Sequence, residues 1–149
     1  MKLYIGADHR GFKLKEELKP WLKTKGYEIE DCGNTKFDPA DDYPDYASRV
    51  AEGVKNSSHE SKGILLCGSG IGVCIVANKY AGIRCGLGID TEHTRHGRLN
   101  DNINILALPA DLLTESQAKD MVTAFLTTDF STEERFLRRQ SKIEEIEKA

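Results

Sequence analysis

Cys67 is followed at once by Gly68-Ser69-Gly70-Ile71-Gly72, so a thiol stands beside three closely spaced glycines. Glycines at that spacing let the backbone turn sharply and present consecutive amides at a helix N-terminus. Such amides cradle an anion, helped by about half a positive charge from the helix dipole. The same partial charge lowers a thiol pKa from its free value of about 8.5. A thiolate beside an amide cradle can attack an electrophile or take a proton; the alternative is a merely buried thiol. Cys32, Cys74 and Cys85 carry no such neighbourhood and read as small buried hydrophobes. No C-x-x-C pair or zinc-ribbon spacing links the four.

Two nucleotide signatures fail in detail. In a G-x-G-x-x-G fingerprint beginning at Gly68, the third glycine is replaced by Val73, although Asp90 is tolerably placed for a ribose-binding acid. A Walker A loop over residues 6–13 is spoiled by Phe12. Asp8 and His9, at a strand end, suit an acid–base or substrate-binding pair, with a helix-capping Asp as the alternative. His93 and His96 sit three apart on a helix, but no third ligand completes a metal site. Arg135, Arg138 and Arg139 share a helical face able to grip a phosphate, or to lie solvated against Glu133, Glu134 and Glu144.

These residues need a scaffold. Short apolar runs at residues 2–6, 27–31, 64–67, 83–89 and 103–108 alternate with helical patterns. The helices fall at residues 14–22 (with Pro20 inside), from Pro44 to Val54, 73–80, 91–99, 115–126 and 131 to the end. The last opens on a Ser131-x-x-Glu134 capping box. A β–α repeat of this kind predicts an α/β fold: a Rossmann-like three-layer α/β/α sandwich on a central, mainly parallel five-stranded sheet. Ligands then sit beyond the carboxyl ends of the strands. A chain of 149 residues and 16.6 kDa suits a single domain, residues 1–149, with the last helix (about 131–148) free to pack on a partner. The net charge of −3 excludes a globally basic nucleic-acid binder. With no run of 18 apolar residues and no signal-like segment, the expectation is a cytoplasmic protein that does not engage a membrane.

Gly6-Ala7-Asp8-His9, Asp42-Tyr43-Pro44-Asp45-Tyr46-Ala47-Ser48, the run from Gly63 to Gly72, Ala77-Asn78-Lys79 and Gly82-Ile83-Arg84 stand in one order and spacing. Together they resemble the type B ribose-5-phosphate isomerases, which share a family with galactose-6-phosphate isomerase subunits. The likeness extends into Glu133-Glu134-Arg135. It implies a Rossmann-like domain, a homodimer (sometimes a tetramer) with sites between subunits, and neither cofactor nor metal. The implied chemistry interconverts aldose and ketose phosphates through a cis-enediolate. Cys67 is then the base, and Ser69 with the amides of Gly70, Ile71 and Gly72 receives the developing oxyanion beside Gly68. Family members without the cysteine use a glutamate six residues on, where this chain has Val73.

Asp8, His9, Asp101, Arg135 and Arg139 are the substrate-binding residues this likeness implies, the two arginines for the phosphate. Three positions depart from it. Asn100 stands where a ring-opening histidine belongs, and an amide cannot exchange a proton near pH 7. His96, four residues earlier on the same helical face, is the available substitute. Phe136 replaces a histidine in the tail. Asp111 replaces a basic residue of the phosphate site, where a carboxylate repels a dianion. A shifted sugar substrate, a non-catalytic sugar-phosphate binder and a nucleotide-binding module remain as rival readings.

Overall fold

The computed structural model describes residues 1–149. Its five strands are β1 (Lys2–Ala7), β2 (Glu28–Asp31), β3 (Lys62–Cys67), β4 (Cys85–Leu87) and β5 (Ile105–Pro109). They form one sheet in the order β2-β1-β3-β5-β4, with every pairing parallel. The helices are α1 (Phe12–Thr24), α2 (Tyr43–Asn56), α3 (Ile71–Ala77), α4 (Thr91–Asp101), α5 (Glu115–Thr127) and α6 (Glu134–Lys148). This is the three-layer, Rossmann-like α/β/α arrangement that the alternating pattern predicts.

Both faces of the sheet are covered. Leu3, Ile5, Leu66 and Leu108 meet Leu18, Leu22 and Phe125 of α1 and α5 on one side. Leu65, Ile105 and Ala107 meet Val50, Ala51, Val73 and Ala77 of α2 and α3 on the other. Each fully buried Leu, Ile or Phe contributes roughly 1.5–3 kcal/mol. Burial on two faces explains why β3 and β5 read as unbroken apolar runs. At the edge of the first cluster Lys15 is wholly buried, its ammonium 2.8 and 2.7 Å from the two oxygens of Asp31 and 2.5 Å from the Asn34 carbonyl.

The chain leaves β1 for β2 on one side, then returns to β3 on the other. The strand order therefore reverses between β1 and β3, and that crevice is where such sheets bind ligands. The Asp8-His9 turn and the Cys67 turn flank it, for Ala7 lies beside Leu66 in the register.

Four local expectations are corrected. β4 is three residues long rather than seven: Ile83 closes a turn onto Tyr80, and Ile89 already projects into solvent. α3 begins at Ile71 and stops at Ala77, so Ile71 and Gly72 are its first turn and Tyr80 lies beyond it. Pro44 is the second residue of α2, which starts at Tyr43. Ser131 forms no capping box; its hydroxyl accepts from the Glu133 amide, and α6 starts after Glu133 with no side-chain cap. The reciprocal box sits instead at Thr114 and Gln117, opening α5.

Candidate active site

Cys67 ends β3, and the turn that follows folds back on it. Gly70 adopts φ of 73°, a left-handed conformation natural to glycine, which aims its amide at the Cys67 sulfur at 3.1 Å. The Ile71 amide donates to the Ser69 hydroxyl oxygen at 3.1 Å, leaving that hydroxyl's proton free to point elsewhere. Gly72 and Val73, also in the first turn of α3, donate to no acceptor in the chain. Two of the three amides expected to form the cradle are therefore engaged within the turn. α3 is only seven residues long, so these local donors, more than a long-helix dipole, would meet an anion.

Cys67 is nearly buried, at 4% exposure, and side chains from three other parts of the chain lie against the glycines that follow it. A Cβ on Gly72 would lie 2.7 Å from the Tyr43 ring, and one on Gly68 would lie 2.5 Å from the Arg10 guanidinium carbon and 2.8 Å from the Asp111 carboxylate. Glycine at 68 and 72 thus leaves room for Arg10 and Tyr43 to lie against the loop. Neither residue was among the expected site residues. The sequence signal for Arg10 is its adjacency to His9, and for Tyr43 its place in the Asp42–Ser48 stretch at the start of α2. A surface cavity of about 660 Å³ opens elsewhere, beside Asp31, Cys32 and Arg49, and Cys67 does not line it.

Across the crevice, Asp8 is buried, with one carboxylate oxygen accepting from the amides of Arg10 and Gly11 at 3.0 and 3.1 Å. That is the capping alternative realised as a turn preceding α1. His9 is held by Asp41, which accepts from its amide at 3.0 Å and lies 2.7 Å from its ring Nδ1, so Nε2 is left to face outward. Burial works to raise the Asp41 pKa, yet the His9 ring, its amide and the Asn34 amide hold that carboxyl below the usual carboxylate range. Asp8, His9 and Asp41 bring one ligand atom each within 4.8 Å of one another, the chain's one cluster with metal-like spacing. The hydrogen bonds just described already account for that convergence.

The remaining expected residues lie elsewhere. α4 starts after β4 at the carboxyl edge and runs back, so Asn100 and Asp101 end it at the opposite edge. There the Asn102 carbonyl accepts from Arg84, at the start of β4, and Asn104 precedes β5. Cys67 pairs with Pro109 at the far end of the ladder that begins with Gly63 and Ile105. Four strand steps make this roughly 13 Å along the sheet. The chain leading into α6 is tied to that same distant edge, the Ser131 amide bonding to the Leu99 carbonyl at 2.9 Å. The Arg135 and Arg139 guanidinium groups both lie over the Phe136 ring, 4.5 and 5.7 Å from its centre. His96 touches the Asn100 side-chain amide at 3.0 Å. The chain thus brings Asp8, His9 and residues 67–72 together, and separately groups Asn100, Asp101, Arg135 and Arg139.

Cys74 is half-buried rather than enclosed, and hydrogen bonding with Cys85 draws its pKa down to about 7 while the buried Cys85 thiol is pushed well up. No helix is long and apolar enough to cross a membrane.

The sequence matches the model of the family described as Ribose/Galactose Isomerase over residues 3–146. A probable ribose-5-phosphate isomerase B of Mycoplasma genitalium is 40% identical over 98% of this chain and 95% of its own length. A D-erythrulose-4-phosphate isomerase of Pectobacterium atrosepticum is 37% identical over 87% of this chain and 85% of its own. The crystal structure of ribose-5-phosphate isomerase B from Mycoplasma genitalium, with bound ribulose-5-phosphate, superposes with a TM-score of 0.95 at 39% identity, covering 99% of this chain and 96% of that one.

Proposed function

The chain belongs to the ribose/galactose isomerase family, and from that premise we propose that it interconverts ribose 5-phosphate and ribulose 5-phosphate with Cys67 as the base. The observation that carries this reading is the Cys67 sulfur accepting the Gly70 amide at the end of β3, next to the Asp41-held His9 at the end of β1. The Cys67 thiolate removes the C2 proton of the open-chain aldose, and the electron pair moves into the C1–C2 bond and onto the carbonyl oxygen. The Ser69 hydroxyl and the free Gly72 amide receive the enediolate oxygens, while the Gly70 amide supports the sulfur whenever it carries charge. The thiol proton, open to exchange with water while the enediolate persists, is then delivered to C1, and with the O2 hydroxyl proton passing to O1 the ketose forms.

A second copy of the chain completes the site. Asn100, Asp101, Arg135 and Arg139 are too far from Cys67 within one chain to act on the same small sugar, so a homodimer supplies them from the partner. Arg135 and Arg139 then hold the phosphate. His96 is the histidine in contact with Asn100 and takes the ring-opening proton transfer, which an Asn side chain cannot perform. The enzyme works in the cytoplasm, with its four cysteines free.

A four-carbon substrate is the second reading, favoured by the 37%-identical D-erythrulose-4-phosphate isomerase. Purified protein supplied with ribose 5-phosphate is expected to form ribulose 5-phosphate. Turnover of erythrulose 4-phosphate alone would shift the substrate, and turnover of neither would overturn the isomerase reading.

A further inference from the structure

Arg10 and Asp111 form an ion pair directly across Gly68, the residue after Cys67. The two ends of this pair are fixed independently. The Asp111 amide donates to the Gly68 carbonyl at 3.1 Å, which ties that residue to the Cys67 turn. The Arg10 amide donates to buried Asp8 at 3.0 Å, so its side chain leaves from an anchored stem beside His9. Only one guanidinium nitrogen, Nη2, reaches Asp111; Nε and Nη1 donate to no other group in the chain.

An exposed ion pair contributes little to stability, about 0–1 kcal/mol. Arg10 and Asp111 are more than a third exposed, so the pair has small effect on folding and a large one on where a guanidinium sits. Nearest the glycines of the Cys67 turn lie the side chains of Arg10 and Asp111 at Gly68, Leu87 at Gly70 and Tyr43 at Gly72, and Arg10 is the cation of this set. A guanidinium with two unused donors is suited to grip a phosphate through paired hydrogen bonds.

We propose that Arg10 binds the phosphate of the substrate and that Asp111 is its positioning residue, steering the guanidinium across Gly68. The proposal rests on the isomerase reading for the identity of the phosphate ester. Its physical content is narrower: a phosphate site on the Cys67 side of the chain, additional to the arginines of α6. Asp111 then does not simply repel a dianion, because its charge is already matched and it aims the cation that receives the ligand.

Calorimetric titration with inorganic phosphate, alongside steady-state kinetics on ribose 5-phosphate, tests this with Arg10→Met, Asp111→Asn and the exchanged pair Arg10→Asp/Asp111→Arg. Arg10→Met is expected to weaken phosphate binding and raise KM by about 10- to 100-fold, with kcat changed about threefold or less. Asp111→Asn is expected to give a smaller rise in both. The exchanged pair, which delivers a guanidinium from the other side of Gly68, recovers most of the affinity. Unchanged phosphate affinity in Arg10→Met overturns the proposal, whether or not the wild-type protein isomerises the sugar. Wild-type protein that binds phosphate through Arg10 but converts neither ribose 5-phosphate nor erythrulose 4-phosphate overturns the isomerase reading alone.

Discussion

Cys67 and Asn100 stand at opposite edges of one sheet, the first closing β3 and the second near the end of the helix that returns from β4. A helix of 11 residues spans about 16 Å, so α4 carries its last turn the full depth of the sheet away from the thiol. The proposed site, which needs both residues, therefore calls for a second copy of the chain.

That arrangement predicts complementation. Cys67→Ala alone and Arg135→Ala/Arg139→Ala alone are each expected to be inactive. When the two are refolded together, half the dimers are mixed, and each mixed dimer carries one intact site. Recovery of about a quarter of wild-type activity is expected. No recovery in dimers shown to be mixed would place the arginines in the same site as the cysteine of their own chain.

The turn conformation gives a second prediction. A Cβ on Gly70 would sit 2.6 Å from Leu87 and 3.1 Å from the Pro109 backbone nitrogen, at a φ that side chains avoid. Gly70→Ala is expected to cost about 2–4 kcal/mol by denaturant unfolding. It also displaces the amide from the sulfur, so kcat should fall further than the lost folded fraction explains.

Lys15 and Asp31 provide a third, with a defined pH dependence. Burial raises the Asp31 pKa, but Lys15, Lys19 and the Gly33 amide outweigh it and leave the carboxyl below its usual value. Its stabilising contribution is therefore complete above the ordinary aspartate range, about 3.9, and is lost as pH falls through the lowered folded value. Asp31→Ala removes the main partner of a wholly buried ammonium, leaving it the Glu16 carboxylate at 3.2 Å and the Asn34 carbonyl, and is expected to cost about 3 kcal/mol at pH 7. Lys15→Met is expected to cost less, because Asp31 keeps Lys19 at 2.7 Å and the Gly33 amide. Denaturant curves across pH should show the gap between wild type and Asp31→Ala steady near neutrality and shrinking below about pH 4. A gap that widens on acidification would reverse the assigned sign.

Much of the architecture is legible in the chain because burial leaves a plain mark: β3 and β5 are covered on both faces, and their unbroken apolar runs say so. β4 misleads because it is an edge strand, where Ile83 and Ile89 are apolar without belonging to the ladder. The Gly-rich turn after Cys67 is visible as a motif, but the pairing of its amides is not. Whether Gly70 and Ile71 face a ligand or their own turn depends on one left-handed φ and on the reach of a serine hydroxyl. Arg10 and Tyr43 escape notice since each meets Cys67's loop from a different strand end, a contact with no sequence periodicity. Asp111 stands out as an acid where the resembled family carries a basic residue, and only the fold reveals its cation. The division of the site follows from helix direction: α4 runs antiparallel to the strands, which a linear motif does not display.

The most direct test of the account follows hydrogen exchange at C1 and C2 of ribose 5-phosphate in deuterated water, comparing wild type with Cys67→Ala and Cys74→Ala. The account predicts deuterium at the exchanging carbon with wild type and with Cys74→Ala, even though Cys74 has the lowered pKa of about 7. It predicts none with folded Cys67→Ala. Exchange that persists without the Cys67 sulfur, or disappears with Cys74→Ala alone, would contradict it.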